Sequence, residues 1–389
     1  MEAVKDIRHN KDRKGILILT PFFSPNIGGV ETHLDDLVNG LDKRGYKVYV
    51  QTYSPITTEG VPWKPREKRG NAVEIRRYSW FGKNLFHKVE KLPFIDFIYI
   101  TPYLFLRTFI WLLSNKNNID VIHAQGFNAA SIGVVFKKIF RKKLIVSTHA
   151  IYEIDKNSKM AKRIVKVLNG ADKILCLSEG SYRELISFGL RESKLDIFKY
   201  WVDLEIFKPY KNNEFRKELG IKDGFIVLFV GRVMEKKGVR VLCEVAQKLP
   251  EVNFVFVGTG PDEDYLKEQE KSNDNIKFMG FVRNNLLYKY YNASDVFCIP
   301  SQYEEGFGRV VMEAVSCGLP VVGSNKGGIP EALDASVSIL IEPTAENLKN
   351  AIEGLYRDNN RYLELKSNCR SYAEKNFSEK NIELITKYY

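Results

Sequence analysis

Acidic residues, glycines and an apolar run alternate in one short stretch, EEGFGRVVME, at residues 304–313. Glycine lets backbone N–H groups approach a ligand closely, and a carboxylate accepts hydrogen bonds from sugar hydroxyls. We predict a helix that begins near Gly308, and its N-terminus would favour an anion. The stretch alone leaves two interpretations open. Glu305 and Glu313 hold a polyhydroxylated ligand, or they are solvated charges and Glu313 stabilises the helix dipole.

Two cations follow another predicted strand, in the stretch FVGRVMEKKG at residues 229–238. Arg232 comes directly after the strand, and Lys237 precedes a glycine at the start of the next helix. Arginine binds phosphate oxygens through two N–H groups, while lysine supplies a point charge. Beside a helix N-terminus, this pair predicts a clamp for a diphosphate. Taken alone, the two residues are more readily interpreted as surface cations.

Short apolar strands alternate with amphipathic helices along the whole chain. Such strands, buried on both faces, are typical of parallel sheets covered by helices. The alternation restarts after an aromatic connector at 198–215, which indicates two doubly wound α/β domains with a cleft between them. Ligands of such sheets bind beyond the carboxyl ends of the strands, where both motifs lie. The predicted strands are 15–20, 47–53, 120–126, 143–150 and 173–179, then 225–231, 253–260, 276–282, 295–300 and 320–325.

The order of these motifs resembles the retaining glycosyltransferases of family 4, which share the GT-B fold. That family has two glutamates separated by seven residues, and Glu305 and Glu313 fit this spacing. The resemblance covers nearly the whole chain. It includes GR…KKG and the following matching segments: PFFSPNIGGVETH (21–33), WVDLEIFKP (201–209), VGTGPDEDYL (257–266), FMGFV (278–282) and GGIPE (327–331).

The resemblance implies roles for individual residues. Glu305 would lie near the transferred sugar, and Glu313 would hold the ribose hydroxyls of the donor nucleotide. Arg232 and Lys237 would neutralise the leaving diphosphate, and His149 would match a family histidine near the donor sugar. The remaining donor contacts would come from Gly28 and Gly29 at a helix N-terminus of the first domain, from the backbone of Gly306, Phe307 and Gly308, and from the backbone at Phe281 and Val282 near the base.

The implied reaction moves a hexosyl group from a UDP- or GDP-sugar to a hydroxyl acceptor, which is a sugar, a lipid-linked molecule or another alcohol. The anomeric configuration would be retained, without a cofactor or an essential metal. The implied domains are an acceptor domain at 1–200, a nucleotide-sugar domain at 201–370 and a returning helix at 371–389. The alternatives are a GT-B epimerase or phosphorylase, a non-catalytic nucleotide-sugar-binding protein and, more distantly, an NAD-dependent oxidoreductase.

One position departs from the family pattern, and another segment resembles a motif of a different glycosyltransferase fold. Many relatives carry a histidine pair where this chain reads His123-Ala124-Gln125, so His123 is a candidate acceptor-side residue or a structural one. The run Asp262-Glu263-Asp264 contains the metal signature of a different glycosyltransferase fold. It opens a predicted helix, where acids complement the dipole, so we interpret it as structural.

The chain carries 59 Lys and Arg against 48 Asp and Glu, a formal charge of +11. Such an excess suits a polyanionic ligand or an anionic membrane surface, although a solvated lysine-rich surface is an equally valid interpretation. Residues 60–120 contribute eleven cations against five acids, and KKIFRKK (137–143) adds more. We expect a nucleotide sugar, a hydroxyl acceptor and an anionic membrane surface as partners, and no nucleic acid.

Five scattered cysteines, without a CxxC pair, favour a reducing compartment. The first fifteen residues lack the apolar core of a signal peptide. We therefore expect a cytoplasmic protein, peripheral on the inner face of the membrane if it binds lipid. The segment at 92–113 is apolar enough to suggest a membrane span, but Asp96, Arg107 and Pro102 favour a helix packed on a sheet and touching a membrane surface.

Overall fold

The computed structural model describes residues 13–58, 60–82, 85, 92–149, 151–210, 213–220 and 223–389. The chain folds into two compact units. The first contains residues 1–199 together with 382–389, and the second contains residues 200–381. The N-terminal segment on which the signal-peptide prediction rests lies almost entirely outside the described residues.

The first unit is built on an eight-stranded sheet with the order β3-β4-β2-β1-β5-β6-β7-β8. All neighbouring strands are parallel except β3 and β4, which pair antiparallel. Its strands are β1 (Gly15–Leu19), β2 (Lys47–Tyr53), β3 (Arg66–Arg69), β4 (Val73–Tyr78), β5 (Val121–Gln125), β6 (Lys143–Thr148), β7 (Lys173–Cys176) and β8 (Leu195–Ile197).

Helices cover this sheet and connect its parallel strands, as parallel pairing requires. α1 (Gly29–Lys43) links β1 to β2, and its buried face carries Leu34, Leu37 and Leu41. The other helices described in this unit are α2 (Pro93–Asn115), α3 (Gly126–Phe140), α4 (Lys159–Leu168) and α5 (Glu179–Ser187), together with a last short helix that is labelled below.

The second unit is built on a six-stranded sheet with the order β11-β10-β9-β12-β13-β14, and all its pairings are parallel. Its strands are β9 (Ile226–Val230), β10 (Asn253–Val257), β11 (Ile276–Phe278), β12 (Val296–Ile299), β13 (Val321–Ser324) and β14 (Ser338–Ile341). Its helices are α6 (Asn213–Glu218), α7 (Val239–Lys248), α8 (Glu263–Ser272), α9 (Leu287–Ala293), α10 (Arg309–Ser316), α11 (Ile329–Ala332), α12 (Ala345–Arg357) and α13 (Asn359–Asn376). The last helix of the chain, α14 (Glu383–Thr386), belongs to the first unit.

Apolar burial explains why both sheets form. Every residue of β1, β5, β9, β10 and β12 is buried, because helices cover both faces of the strands. All five cysteines are free and buried, and four of them lie in apolar runs, where a thiol behaves as a small hydrophobic group. The two predicted α/β domains are therefore confirmed, and the restart of the pattern falls where the second sheet begins.

Four strands were not predicted: β3, β4, β8 and β14. The β3 sequence is REKR, and its exposed edge position needs no apolar residues. β4 alternates buried and half-buried residues, so it lacks the continuous apolar run that marked the others.

Several predicted strands also end earlier. The strand predicted at 276–282 ends at Phe278, which leaves Phe281 and Val282 in the loop that follows it.

The chain returns to the first unit at Ile382, and its last residue packs inside that unit. The Tyr389 hydroxyl lies 2.7 Å from Nδ1 of His123 on β5, and Nε2 of His123 lies 2.7 Å from the Ser147 hydroxyl. Burial lowers the pKa of His123 to about 3, so its ring is neutral at pH 7. Both ring nitrogens are engaged, which favours the structural interpretation of His123 over an acceptor-side role.

We expect Tyr389→Phe to destabilise the first unit by about 1–3 kcal/mol, because Nδ1 of the buried His123 loses its partner. Urea unfolding followed by tryptophan fluorescence measures this, since Trp63, Trp80 and Trp111 lie in the first unit. Tyr103→Phe is the matched control, because no described residue pairs with the Tyr103 hydroxyl. Equal stabilities for the two variants would contradict the assigned bond.

Candidate active site

A lysine–glutamate pair lies where the two predicted motifs meet in the second unit. Lys237 ends a short 3₁₀ turn after β9, and Glu305 lies in the loop after β12. The two strands are neighbours in the sheet, so their carboxyl ends lie side by side. Lys237 Nζ lies 2.5 Å from Glu305 Oε1, and Glu305 is only 6% exposed.

Two hydroxyl groups complete the surroundings of this carboxylate. Ser301 donates to Glu305 Oε1 at 2.5 Å, and Tyr303 donates to Oε2 at 3.2 Å. The Lys237 ammonium also lies over the Tyr303 ring, 5.1 Å from its centre. Burial would lower the pKa of Lys237, but Glu305 and Tyr303 outweigh it and raise the pKa. Lys237 therefore remains a cation in a half-buried site.

Glycines hold the loop that carries Glu305 in place. The backbone N–H of Gly328 donates to the Glu305 carbonyl at 2.8 Å. A Cβ atom on Gly328 would lie 1.6 Å from the Gly306 carbonyl oxygen, and one on Gly327 would lie 2.4 Å from the Glu305 nitrogen. Gly308 ends the loop with φ 63° at the N-cap of α10. The loop can thus follow this path only because the adjacent segment, Gly327 and Gly328, has no side chains.

Arg232 directly follows Gly231 at the carboxyl end of β9, as predicted. Its side chain is exposed, and no described residue pairs with it. Lys237, by contrast, has a carboxylate partner in the same region. The site therefore contains one cation whose charge is compensated and one whose charge faces solvent.

Glu313 lies in the second turn of α10 and is almost fully buried, with 1% exposure. Arg309 donates to its Oε1 at 3.1 Å, Asn284 donates to the same oxygen at 3.0 Å, and the Tyr291 hydroxyl donates to Oε2 at 3.0 Å. Arg309 is itself buried and also donates to the Trp201 carbonyl at 3.0 Å. Glu313 therefore compensates a buried charge, and its predicted contact with ribose remains a prediction.

Phe281 and Val282, predicted near the donor base, line an open cavity of about 460 Å³ in the second unit. The Phe281 ring is 50% exposed, which is unusual for so large an apolar side chain. Arg283 and Lys289 also line the cavity. The cavity wall thus combines an apolar face with cations.

The predicted residues of the first unit lie around the start of α1 and the end of β6. Gly28 is the N-cap of α1, and a Cβ atom there would lie 2.2 Å from the Glu31 carboxylate. Nε2 of His149 lies 2.8 Å from Gln125 Oε1, and the His149 ring is 6.0 Å from that of His33. Burial lowers the pKa of His149 to about 4, so it acts as a neutral ring at pH 7.

The structure brings Lys237 and Glu305 into contact, and no partner of Arg232 is found among the described residues. Ser301 and Tyr303 were not predicted. Their position as polar residues just after a predicted strand was the signal that could have identified them. Asn284 and Tyr291 were also missed, because nothing in the sequence showed that α9 and the turn before it would face Glu313.

The run Asp262-Glu263-Asp264 behaves as predicted, with Asp262 at the N-cap of α8. Glu263 accepts a hydrogen bond from the Gly260 backbone at 3.0 Å, and Asp262 pairs with Arg240 at 2.8 Å. Among the described residues, no group of three or more His, Cys, Asp or Glu could hold a metal ion. Glu263 and Asp264 lie in the first turn of α8, where acidic residues complement the helix dipole.

Two family models match the chain. The model described as Glycosyltransferase Family 4 matches residues 27–206, and the model described as Glycosyl transferases group 1 matches residues 211–376. Similar proteins include the gpi3 subunit of phosphatidylinositol N-acetylglucosaminyltransferase from Schizosaccharomyces pombe, which is 22% identical over 92% of this chain and 75% of its own length. The D-inositol 3-phosphate glycosyltransferase of Kribbella flavida is 28% identical over 58% of this chain and 59% of its own.

Solved structures share the fold. HepE of Anabaena, determined in complex with UDP and glucose, has a TM-score of 0.74 and 22% identity, covering 96% of this chain and 98% of its own. Sucrose-phosphate synthase of Thermosynechococcus elongatus has a TM-score of 0.75 at the same identity and coverage. The chain belongs to glycosyltransferase family 4 and has the GT-B fold. It is a glycosyltransferase, as the motifs predicted.

We expect Glu313→Gln to destabilise the second unit by about 3 kcal/mol, because the buried Arg309 loses its counter-charge. Urea unfolding at pH 7 measures the change. Glu364→Gln is the matched control, since it neutralises one partner of an exposed pair with Arg361 and should change the stability by less than about 0.5 kcal/mol. A Glu313 variant as stable as this control would contradict the stabilising role of the buried pair with Arg309.

Proposed function

We propose that this chain is a retaining hexosyltransferase, which moves a sugar from a UDP- or GDP-sugar to a hydroxyl acceptor. One observation carries the proposal. The cations Arg232 and Lys237 at the end of β9 lie beside the loop that holds Glu305 and leads into the N-terminus of α10. Breaking a glycosyl–diphosphate bond builds negative charge on the leaving phosphate, and this region supplies positive charge.

The charged groups have different tasks in this proposal. Arg232 binds the diphosphate directly, since it has no partner to give up among the described residues. The Lys237 ammonium contacts the phosphate oxygens while it stays close to the Glu305 carboxylate. The N–H groups at the start of α10, next to Gly306 and Gly308, add the positive end of the helix dipole. No metal ion is needed to neutralise the leaving group.

Glu305 acts in the proposal as a positioning group near the transferred sugar. Its two oxygens accept hydrogen bonds from Ser301, Tyr303 and Lys237, which fixes the carboxylate and lowers its availability as a nucleophile. Retention then follows if the leaving phosphate guides the acceptor to the same face of the sugar. His149, held neutral by burial, offers a hydrogen-bonding ring to the donor sugar.

The donor nucleotide would lie along the cavity that Phe281 and Val282 line, with the base against their backbone. Glu313 would hold the ribose hydroxyls by exchanging one of its present partners, Asn284, for them. Asn284 is an exposed residue that occupies one oxygen of Glu313, so ribose hydroxyls could replace its amide at low cost. Gly28 and Gly29, at the N-terminus of α1, would contact the diphosphate.

The names of similar proteins guide the choice of substrates. HepE was determined with UDP-glucose, and two relatives are named for transfer to phosphatidylinositol and to D-inositol 3-phosphate. A UDP-sugar is therefore the first donor to test. Inositol-containing alcohols, free and lipid-linked, are the first acceptors.

Release of nucleoside diphosphate from a panel of UDP- and GDP-sugars tests the proposal. We expect release only when an acceptor is present, unchanged by EDTA, and reduced at least about tenfold by Arg232→Ala, because the freely exposed cation on the leaving group is lost. Arg240→Ala is the matched control, since Arg240 is also exposed but is paired with Asp262. NMR of the product shows whether the anomeric configuration is retained.

The same assay separates the alternatives. Conversion of the sugar without an acceptor would indicate an epimerase, and release that depends on inorganic phosphate would indicate a phosphorylase. Tight donor binding without turnover across the whole panel would indicate a binding protein. Each of these results would overturn the proposed reaction.

A further inference from the structure

The surface of α2 that faces away from the sheet is almost entirely apolar. Six of its large apolar side chains are 47–65% exposed, far more than isolated surface residues require. Most of them recur at steps of three or four residues, so they form one stripe along the helix. The stripe contains Ile95, Ile98, Leu106, Ile110 and Leu113, with the exposed Pro102 between them and Phe94 at the start.

The opposite surface of α2 packs in the core of the first unit. Ile100, Leu104, Trp111 and Leu112 are all at most 6% exposed and join the cluster beneath the helix. By length and composition, the segment Phe94–Asn118 is the one helix among the described residues that could cross a membrane, with 39% of its most apolar window buried. A helix that packs on a sheet along one side cannot be surrounded by lipid, so α2 does not span a membrane in this fold. It is suited to lie along a membrane surface.

The apolar stripe continues onto α3. Phe105 of α2 stacks on Phe136 of α3 with ring centres 5.2 Å apart, which holds the helices side by side. They lead into the parallel strands β5 and β6, so they run in the same direction. Phe105 and Phe136 face each other. The residue after Phe105 on α2 and the residue before Phe136 on α3 therefore point to the same outer side. These steps reach the exposed Leu106 and Val135, and Ile139 follows one turn later.

A basic strip borders the apolar one. α4 buries Ala161, Ile164 and Leu168, and its outer side carries Lys159, Lys162, Arg163 and Lys166, all exposed. α4 packs beside α3, whose exposed Lys138 lies between Val135 and Ile139 on the outer side. Residues 126–168 hold ten Lys and Arg against two acids, a strong local excess of positive charge.

We propose that the outer surfaces of α2, α3 and α4 form a docking face for an anionic lipid bilayer. The apolar stripe of α2 and α3 would enter the boundary between headgroups and acyl chains, with α2 in the plane of the membrane. The cations of α3 and α4 would lie at the level of the lipid phosphates. An apolar strip beside a basic strip is what such an interface requires, because the apolar strip enters the acyl boundary while the cations pair with anionic headgroups.

Vesicle co-sedimentation of the full chain tests the docking face. We expect binding to phosphatidylcholine vesicles that contain phosphatidylglycerol, much weaker binding to phosphatidylcholine alone, and a loss of binding as salt rises. The double variant Ile98→Asp/Ile110→Asp should reduce the binding at least about tenfold, because it places charges in the apolar stripe. Leu363→Asp, an equally exposed apolar residue on α13, is the matched control.

The basic strip has its own test. Lys162→Glu/Lys166→Glu should reduce binding to the anionic vesicles about tenfold or more and abolish its salt dependence. Lys267→Glu/Lys271→Glu, an exposed pair of lysines on α8 in the second unit, changes the net charge equally and should have little effect. Binding that follows net charge alone would overturn the docking face.

A second copy of this chain is the alternative occupant of the apolar stripe. Light scattering after size-exclusion chromatography decides this. An oligomer that the Ile98→Asp/Ile110→Asp variant dissociates, together with unchanged vesicle binding, would overturn the proposal. Nucleotide release with a soluble acceptor should be unaffected in all these variants, so failure of the docking face and failure of the proposed reaction can be distinguished.

Discussion

The contact between Lys237 and Glu305 is the interaction on which the proposed chemistry depends. A carboxylate that is 6% exposed requires a partner, and the ammonium at 2.5 Å supplies it. The same ammonium must then remain charged for a diphosphate to find a cation in the site. The opposing effects on the pKa of Lys237 give this result, because the nearby Glu305 outweighs burial.

The second sheet makes this contact by bringing the ends of β9 and β12 together. Lys237 and Glu305 are 68 residues apart in the sequence, but the strands that precede them, β9 and β12, are neighbours in the sheet. Two packing constraints then position the loops. Gly238 has φ 77° and lies against the Pro300 backbone, while Gly327 and Gly328 lie against the backbone of the Glu305 loop. The pair therefore depends on the close backbone approaches that these three glycines allow.

Much of the fold and part of the site could be predicted from the sequence. Continuous apolar runs revealed β1, β9, β10 and β12, because strands covered on both faces are rich in apolar residues. The edge strand β3 gave no such signal, since its charged REKR faces solvent. Glu305 and Lys237 were predicted from position and resemblance together. The partners of Glu313 were not, because Asn284 and Tyr291 reach it through a turn and a helix whose orientation only tertiary packing determines.

The most direct test of the Lys237 contact compares two ligands that differ only in the presence of the diphosphate group. Calorimetry should measure the affinity for the nucleoside diphosphate of the preferred donor and for the corresponding nucleoside. We expect Lys237→Met to weaken diphosphate binding about tenfold or more while nucleoside binding is unchanged, and Lys236→Met, a change in the adjacent exposed lysine, to alter neither. An unchanged ratio of the two affinities in Lys237→Met would contradict the assignment of this lysine to the diphosphate.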